Sequence, residues 1–140
     1  MSNTIISKPI ISADSHIMEP PDTYIARIDK KFADTAPRVV WDEKRGDTYV
    51  VTGMKETVPM GLIAAAGKTA QELAGAAAHA KFDELPRGSW DPEARIVDQD
   101  RDGVAAEVIY PSVGMILCNH PDKDYKKACF DAYNLWIADY

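Results

Sequence analysis

The sequence predicts an α/β fold, and three of its segments carry that prediction. A short apolar strand is predicted at 8–16, and a helix that begins at Asp91 leads through Gly103 into a second apolar strand at 104–110. A further helix pattern begins at Asp122. The resulting order is strand, long intervening segment, helix, strand, helix, and a helix that returns through one glycine into a strand is half of a βαβ unit.

The first strand combines an apolar start with a polar end. Pro9 lies at its entry, where a missing N–H is tolerated, and Ile10 and Ile11 follow. Asp14 and His16 close the strand. This pattern is typical of a buried parallel strand that carries functional groups at its C-terminal end.

The long segment between the two strands contains three weaker patterns. Asp22 is predicted to cap a short helix over 23–28. Two β-rich runs, 38–41 and 48–51, flank turn-forming residues and predict an antiparallel hairpin. The Ala-rich stretch 61–80 permits a helix but specifies it weakly, because alanine buries little apolar surface and three glycines interrupt the run.

The helix before the second strand has clear signals at both ends. Asp91 is a favourable N-cap, and Pro92 occupies the first helical position, where its missing N–H costs nothing. Gly103 can adopt the left-handed backbone conformation that ends a helix. Pro111 then ends the strand at 104–110. These signals predict a helix, a tight turn and a strand in direct succession.

The final segment is predicted as a loop over 112–121 followed by a helix capped by Asp122. One face of this helix is apolar at helical spacing: Tyr125, Ala128, Cys129, Ala132, Leu135 and Trp136. No Gly, Asn or Pro closes the pattern before Tyr140, and no further strand follows. We therefore expect the α/β arrangement to be unfinished within these 140 residues.

Composition and charge narrow the function classes. The chain has 46% hydrophobic residues, 16 Lys and Arg, and 22 Asp and Glu, for a net charge of −6. This balance argues against a nucleic-acid surface. No signal-peptide pattern and no apolar run near the ~18 residues of a membrane span is present. Cys118 and Cys129 lack disulfide or zinc spacing, so reduced thiols in a cytoplasmic protein are expected.

Asp14 and His16 form the candidate metal site. Residues i and i+2 of a strand point to the same side, so both side chains are expected to project together, with Ser15 facing away. A carboxylate and an imidazole match the mixed oxygen and nitrogen ligands of zinc. Spacing alone leaves two other interpretations open, a turn or helix cap for Asp14 and a hydrogen-bonded structural histidine for His16.

Two ordered blocks of the sequence resemble a known family. The first block is 11–22 (ISADSHIMEPPD), and the second runs from Trp90 to Trp136 through WDPEAR, DQDRDGV, IYPS and AYNLW. Together they resemble the amidohydrolase-related proteins of the amidohydrolase superfamily, in the branch that includes aminocarboxymuconate semialdehyde decarboxylase and related aromatic-acid decarboxylases. The resemblance spans nearly the whole chain, although 40–88 match only loosely.

The resemblance implies a (β/α)8 TIM barrel with one divalent metal at its C-terminal mouth. Residues 1–140 would form the N-terminal part of that single domain, with strand 1 at 8–16, an insertion made of a β-hairpin and an Ala-rich helical stretch at 17–90, and a helix, strand 2 and a helix at 91–140. Asp14 and His16 would be the first two metal ligands. The remaining ligands and the general base are expected outside this chain. Zinc is the first choice of metal, with manganese or magnesium as alternatives.

Three further residues have two interpretations each. Glu19 would orient substrate or a metal ligand above the site, or would be a loop carboxylate in water. His120 would contact substrate near the barrel mouth, or would be a loop or cap residue. Glu107, in an apolar strand, is expected to form a structural salt bridge or to face outward, because a buried carboxylate needs a partner.

The resemblance implies a metal-dependent hydrolase or a non-oxidative decarboxylase (carboxy-lyase). Its substrate would be a small carboxylated molecule, aromatic acids among them, and the protein is expected to form a homo-oligomer without nucleic-acid or membrane partners. The alternatives are a catalytically incomplete fragment that acts as an associating or binding module, and a small scaffold without a metal.

Overall fold

The computed structural model describes residues 9–74 and 79–140, so part of the Ala-rich segment and Lys8 of the predicted first strand lie outside the described residues. The strands are β1 (Ile10–Ile17), β2 (Arg38–Asp42), β3 (Gly46–Val50), β4 (Thr57–Pro59) and β5 (Val104–Pro111). The helices are α1 (Met60–Ile63), α2 (Ala70–Ala74), α3 (Pro92–Asp102), α4 (Ser112–Leu117) and α5 (Lys123–Ile137), with 3-10 turns at Lys30–Thr35, Phe82–Glu84 and Arg87–Ser89. The chain is a mixed α/β structure.

Strands β1 and β5 form a parallel pair, and α3 is the helix that returns the chain between them. The ladder runs from the Ile10–Val104 pair to the Ile17–Pro111 pair, with register irregularities between Ile10 and Ile11 and between Ser12 and Ser15. Between Ser12 and Ser15, β1 carries one residue more than β5, which is the signature of a β-bulge. Both predicted strands are confirmed to within two residues at their ends.

Helix α3 forms as its local signals predict. The Asp91 carboxylate accepts a hydrogen bond from the Ala94 N–H at 3.0 Å, and Pro92 occupies the first turn. Gly103 ends the helix with a left-handed backbone, φ 72°. That conformation strains any residue with a Cβ, which explains the glycine.

Strands β2, β3 and β4 form a separate antiparallel sheet in that order. The predicted hairpin is confirmed as β2 and β3, and the Asp42 carboxylate fixes its turn by accepting the N–H groups of Lys44 and Arg45 at 2.9 and 3.0 Å. The sequence pattern gave no sign of β4, which is only three residues long. Sequence reasoning therefore found two of the three strands.

The predicted helix over 23–28 is wrong. Residues 21–27 form turns in which hydrogen bonds to the third residue back, such as Thr23 N–H to the Pro20 carbonyl, alternate with bonds to the fourth. This mixture prevents a regular α-helix. Tyr24 and Ile28 are buried as expected, but Ile25, assigned to the same face, is 55% exposed.

The predicted loop 112–121 is replaced in part by α4, while α5 begins after Asp122 as expected. The Asp122 carboxylate accepts the N–H groups of Asp124 and Tyr125 at 2.9 and 3.0 Å. The predicted apolar face of α5 is buried except at Leu135, which is 59% exposed.

The core lies where the antiparallel sheet meets α4 and α5. Fully buried members come from each part: Tyr49 from β3, Met60 from α1, Leu117 from α4 and Cys129 from α5. The parallel pair instead keeps one face open, since Val108 and Tyr110 of β5 are each 46% exposed. Polar functional residues at the ends of β1 and β5 are thus accessible.

Within residues 9–74 and 79–140, no helix is both long enough and apolar enough to cross a membrane.

Candidate metal centre

Asp14 and His16 lie at the C-terminal end of β1, and the structure brings their side chains together. The His16 Nε2 atom is 3.3 Å from the Asp14 Oδ1 atom. Asp14 falls within the bulge of β1, a feature that redirects side chains near functional sites. The Asp14 side chain is 79% exposed and the His16 side chain 35%. Both side chains are therefore accessible from solvent to a metal ion.

The spacing of these two atoms fits a shared metal ion. Two ligands bound at about 2.1 Å in a tetrahedral zinc site are separated by roughly 3.4 Å. The observed Nε2–Oδ1 distance matches that ligand-to-ligand separation, and a nitrogen and an oxygen ligand suit zinc. In the part of the chain that the structure describes, no group of three His, Cys, Asp or Glu side chains converges on one point. Asp14 and His16 are thus two candidate ligands, without a third beside them in the described residues.

Arg95 of α3 holds the backbone behind the pair in place. Its Nη1 donates to the His16 carbonyl at 3.1 Å and to the Gly88 carbonyl at 3.3 Å, while its Nε donates to the Glu107 carboxylate at 2.5 Å. Both side chains of the Arg95–Glu107 ion pair are nearly buried, at 11% and 13% exposure. Arg95 therefore ties α3, β5 and the end of β1 together.

Glu107 forms an ion pair with Arg95 inside the fold, so the expected structural salt bridge is confirmed. Burial is the largest single effect on the pKa of the Glu107 carboxyl and raises it. The hydrogen bonds from Arg95, Gln99 and Ser15 and the positive charge of Arg95 together lower it by more, so the pKa falls below its ordinary value. The Glu107 carboxylate stays charged at neutral pH and keeps Arg95 fixed.

Glu19 is fully buried and ties the segment after β1 to the start of α4. Its carboxylate accepts the N–H groups of Ser112, Val113 and Gly114 at 3.0–3.3 Å and the Tyr24 hydroxyl at 3.1 Å. Burial raises the pKa of Glu19 to about 7, while these hydrogen bonds lower it by less. The interpretation of Glu19 as a solvated loop carboxylate is wrong.

His120 is also buried, and the structure gives both of its ring nitrogens protein partners. The Asp122 N–H donates to Nδ1 at 3.2 Å, so Nε2 carries the hydrogen and donates to the Thr52 carbonyl at 2.9 Å. The ring packs on Tyr125, with 4.5 Å between centroids. His120 joins the residues before α5 to the turn after β3, as a loop or cap residue would. A substrate contact by His120 stays a prediction.

A cavity of about 600 Å³ lies between α3 and the segment at 63–67. Its lining includes His16, Arg95, Asp98 and Glu107. Asp14 is not part of this lining. The cavity is therefore beside the two-ligand site, not centred on it.

Sequence reasoning missed Arg95 and Tyr110 as site residues. Tyr110 lies one residue before the end of β5 and pairs with His16 in the parallel ladder, and their ring centroids are 6.1 Å apart. The rule that placed His16 at the site, a position at the C-terminal end of a parallel strand, also applies to Tyr110. No comparable sequence signal identified Arg95.

Comparison with solved structures finds a match to an amidohydrolase from Mycobacterium avium subsp. paratuberculosis K-10. The TM-score is 0.64 at 18% sequence identity, and the match covers 96% of this chain and 39% of that one. The chain thus spans well under half the length of this neighbour. No family model and no curated protein matches the chain. At this identity the match shows a likeness of fold alone: the mixed α/β structure of this chain resembles part of that neighbour.

Proposed function

We propose that this chain is the N-terminal part of a metal-dependent hydrolase of the amidohydrolase type, folded as the first section of a (β/α)8 barrel. The Asp14–His16 pair, 3.3 Å apart at the C-terminal end of β1, carries the proposal. Active sites of such barrels lie at the C-terminal ends of their strands. The structural match to part of an amidohydrolase supports the same assignment.

Asp14 and His16 would hold a divalent metal, with zinc first and manganese or magnesium as alternatives. When bound, the metal would polarise a carbonyl or carboxylate or activate water. The backbone at His16 is held in place, because Arg95 donates to the His16 carbonyl and Glu107 fixes Arg95. The proposed reaction is hydrolysis or non-oxidative decarboxylation of a small carboxylated substrate. Further ligands and a general base would come from residues beyond these 140.

A second candidate function is that of an associating module, with the chain paired to itself or to another chain. The exposed apolar residues of β1 favour it, since Ile10 is 52% and Ile11 63% exposed. Exposed strand edges and apolar faces of this kind promote association. Under either function we propose a homo-oligomer.

Zinc titration of the 140-residue chain tests the proposed function. Isothermal titration calorimetry of the wild-type chain should show a saturable site, and His16→Ala should weaken it by roughly tenfold or more. His79→Ala is the matched control, because His79 is an exposed histidine outside the pair. No saturable binding, or equal loss in both variants, would contradict the metal centre and favour the associating module.

A further inference from the structure

We propose that Glu19 is a pH-sensitive latch: its buried carboxyl group holds the segment after β1 against the start of α4 while it is protonated, and its ionisation releases that contact. The segments that it joins follow β1 and β5, the two strands of the parallel pair. Release therefore loosens the chain at the edge of the sheet where Asp14 and His16 lie. The latch involves no metal, so it is independent of the proposed function.

The contacts of Glu19 bridge two distant parts of the chain. The backbone N–H groups of Ser112, Val113 and Gly114 donate to its two oxygens at 3.0–3.3 Å, and the Tyr24 hydroxyl donates at 3.1 Å. These side-chain contacts hold the segment after β1 and α4 together across 93 residues of sequence. Loss of the carboxyl group from this position would leave three buried N–H groups without their acceptor.

The groups that face the Glu19 carboxyl provide no positive charge to offset its ionisation. They are tyrosines of three elements: burial first, and then the charge of Glu19, raises the pKa values of Tyr24, Tyr49 and Tyr133, so all three stay neutral. Cys129, beside Tyr24, stays a neutral thiol because burial raises its pKa to about 12. In the described ranges 9–74 and 79–140, no Lys, Arg or His forms an ion pair with Glu19. A buried carboxylate without a cation is costly.

Ser112 gives the protonated form a place in the same contact. A protonated carboxyl group is a donor and needs an acceptor. The Ser112 side chain is fully buried, and within the described part of the chain its hydroxyl has no hydrogen-bond partner. Its own N–H already donates to Glu19 Oε2 at 3.1 Å, so the hydroxyl belongs to the residue next to that oxygen. It supplies the acceptor that the proton of Glu19 requires.

Amide hydrogen exchange of the 140-residue chain, followed residue by residue by NMR between pH 5 and 8, tests the latch. After correction for the intrinsic pH dependence of exchange, protection of the 112–114 amides should fall by roughly 30- to 100-fold over this range, because a released carboxyl group titrates near 4.5 and the latched one near 7. The amides of β2 and β3, on the separate sheet, report complete unfolding. Low concentrations of urea should accelerate their exchange but leave that of 112–114 unchanged, since a local opening exposes little surface.

Two variants examine the two partners of the proton. Glutamine presents an N–H donor and a carbonyl acceptor, so Glu19→Gln copies the protonated acid and should keep the 112–114 amides protected at every pH. Ser112→Ala removes the acceptor and should move the loss of protection to lower pH by roughly half a unit or more. Glu43→Gln, at an exposed turn position, is the matched control.

Three results would overturn the latch. Protection at 112–114 that stays constant or rises with pH in the wild-type chain contradicts release by ionisation. An equal loss in Glu19→Gln assigns the change to another group. Exchange of the 112–114 amides with the same protection and urea dependence as those of β2 and β3 shows that Glu19 leaves its partners only when the whole chain unfolds.

Discussion

Replacement of Glu19 by glutamine should change how the stability of the protein depends on pH. Glu19 is fully buried, and its carboxylate accepts three backbone N–H groups at the start of α4. Glutamine has nearly the same shape and keeps one carbonyl oxygen as an acceptor, but it cannot ionise. The substitution therefore removes the ionisable group at position 19 while it preserves most of the packing around that side chain.

The size of the effect follows from the pKa. Burial raises the pKa of Glu19 from 4.5 to about 7, so the folded state binds this proton more tightly than the unfolded state. The stabilisation is complete below pH 4.5 and is lost as the pH rises through 7. The shift corresponds to about 3 kcal/mol in the free energy of unfolding.

Urea unfolding followed by circular dichroism between pH 4.5 and 8 measures this difference. The free energy of unfolding of the wild-type chain, minus that of Glu19→Gln, should fall by about 3 kcal/mol across the range. Subtraction removes the pH dependence of all groups common to both proteins. Glu43→Gln, at an exposed turn position, is the matched control. A difference that is constant or rises with pH would refute the reasoning.

Two further substitutions, each measured by urea unfolding, test the Arg95–Glu107 ion pair beside the candidate site and the turn at Gly46 in the hairpin. Arg95→Ala should lower the free energy of unfolding by about 2 kcal/mol, because it leaves the nearly buried Glu107 carboxylate without its partner, and removal of Glu107 as well should recover part of the loss. Gly46→Ala should cost more than 1 kcal/mol, roughly, since its φ is 69° and a Cβ would lie 2.5 Å from the Ala80 carbonyl oxygen. Gly67→Ala has a similar φ but open space, and an equal cost there would contradict the steric explanation.

The elements that sequence reasoning predicted are those whose signals are local. Asp91, Pro92 and Gly103 lie within the helix that they delimit, so the ends of α3 could be read directly from the chain. Helix α4 was missed because the group that caps its first N–H groups is Glu19, 93 residues earlier in the chain. A cap supplied by tertiary structure leaves no pattern near the helix.

The candidate site, like the fold, could be predicted from the sequence only where its signals are local. The D-x-H spacing brought Asp14 and His16 together on one strand, although the bulge that helps to aim them was not foreseen. Tyr110 and Arg95 join the site only through the pairing of β1 with β5 and the packing of α3. Such contacts depend on register and helix placement, which a single sequence does not specify residue by residue.

The position of Glu19 also bears on how an acidic molecule would approach this edge of the sheet. Backbone N–H groups that follow a parallel strand and start a helix are a common docking point for phosphates and carboxylates. Here the chain fills that point with its own carboxylate, since Ser112, Val113 and Gly114 all donate to Glu19. The N–H groups at the start of α4 are therefore already bonded within the protein, and Glu19 itself is fully buried, so this helix start is closed to an acidic molecule from solvent.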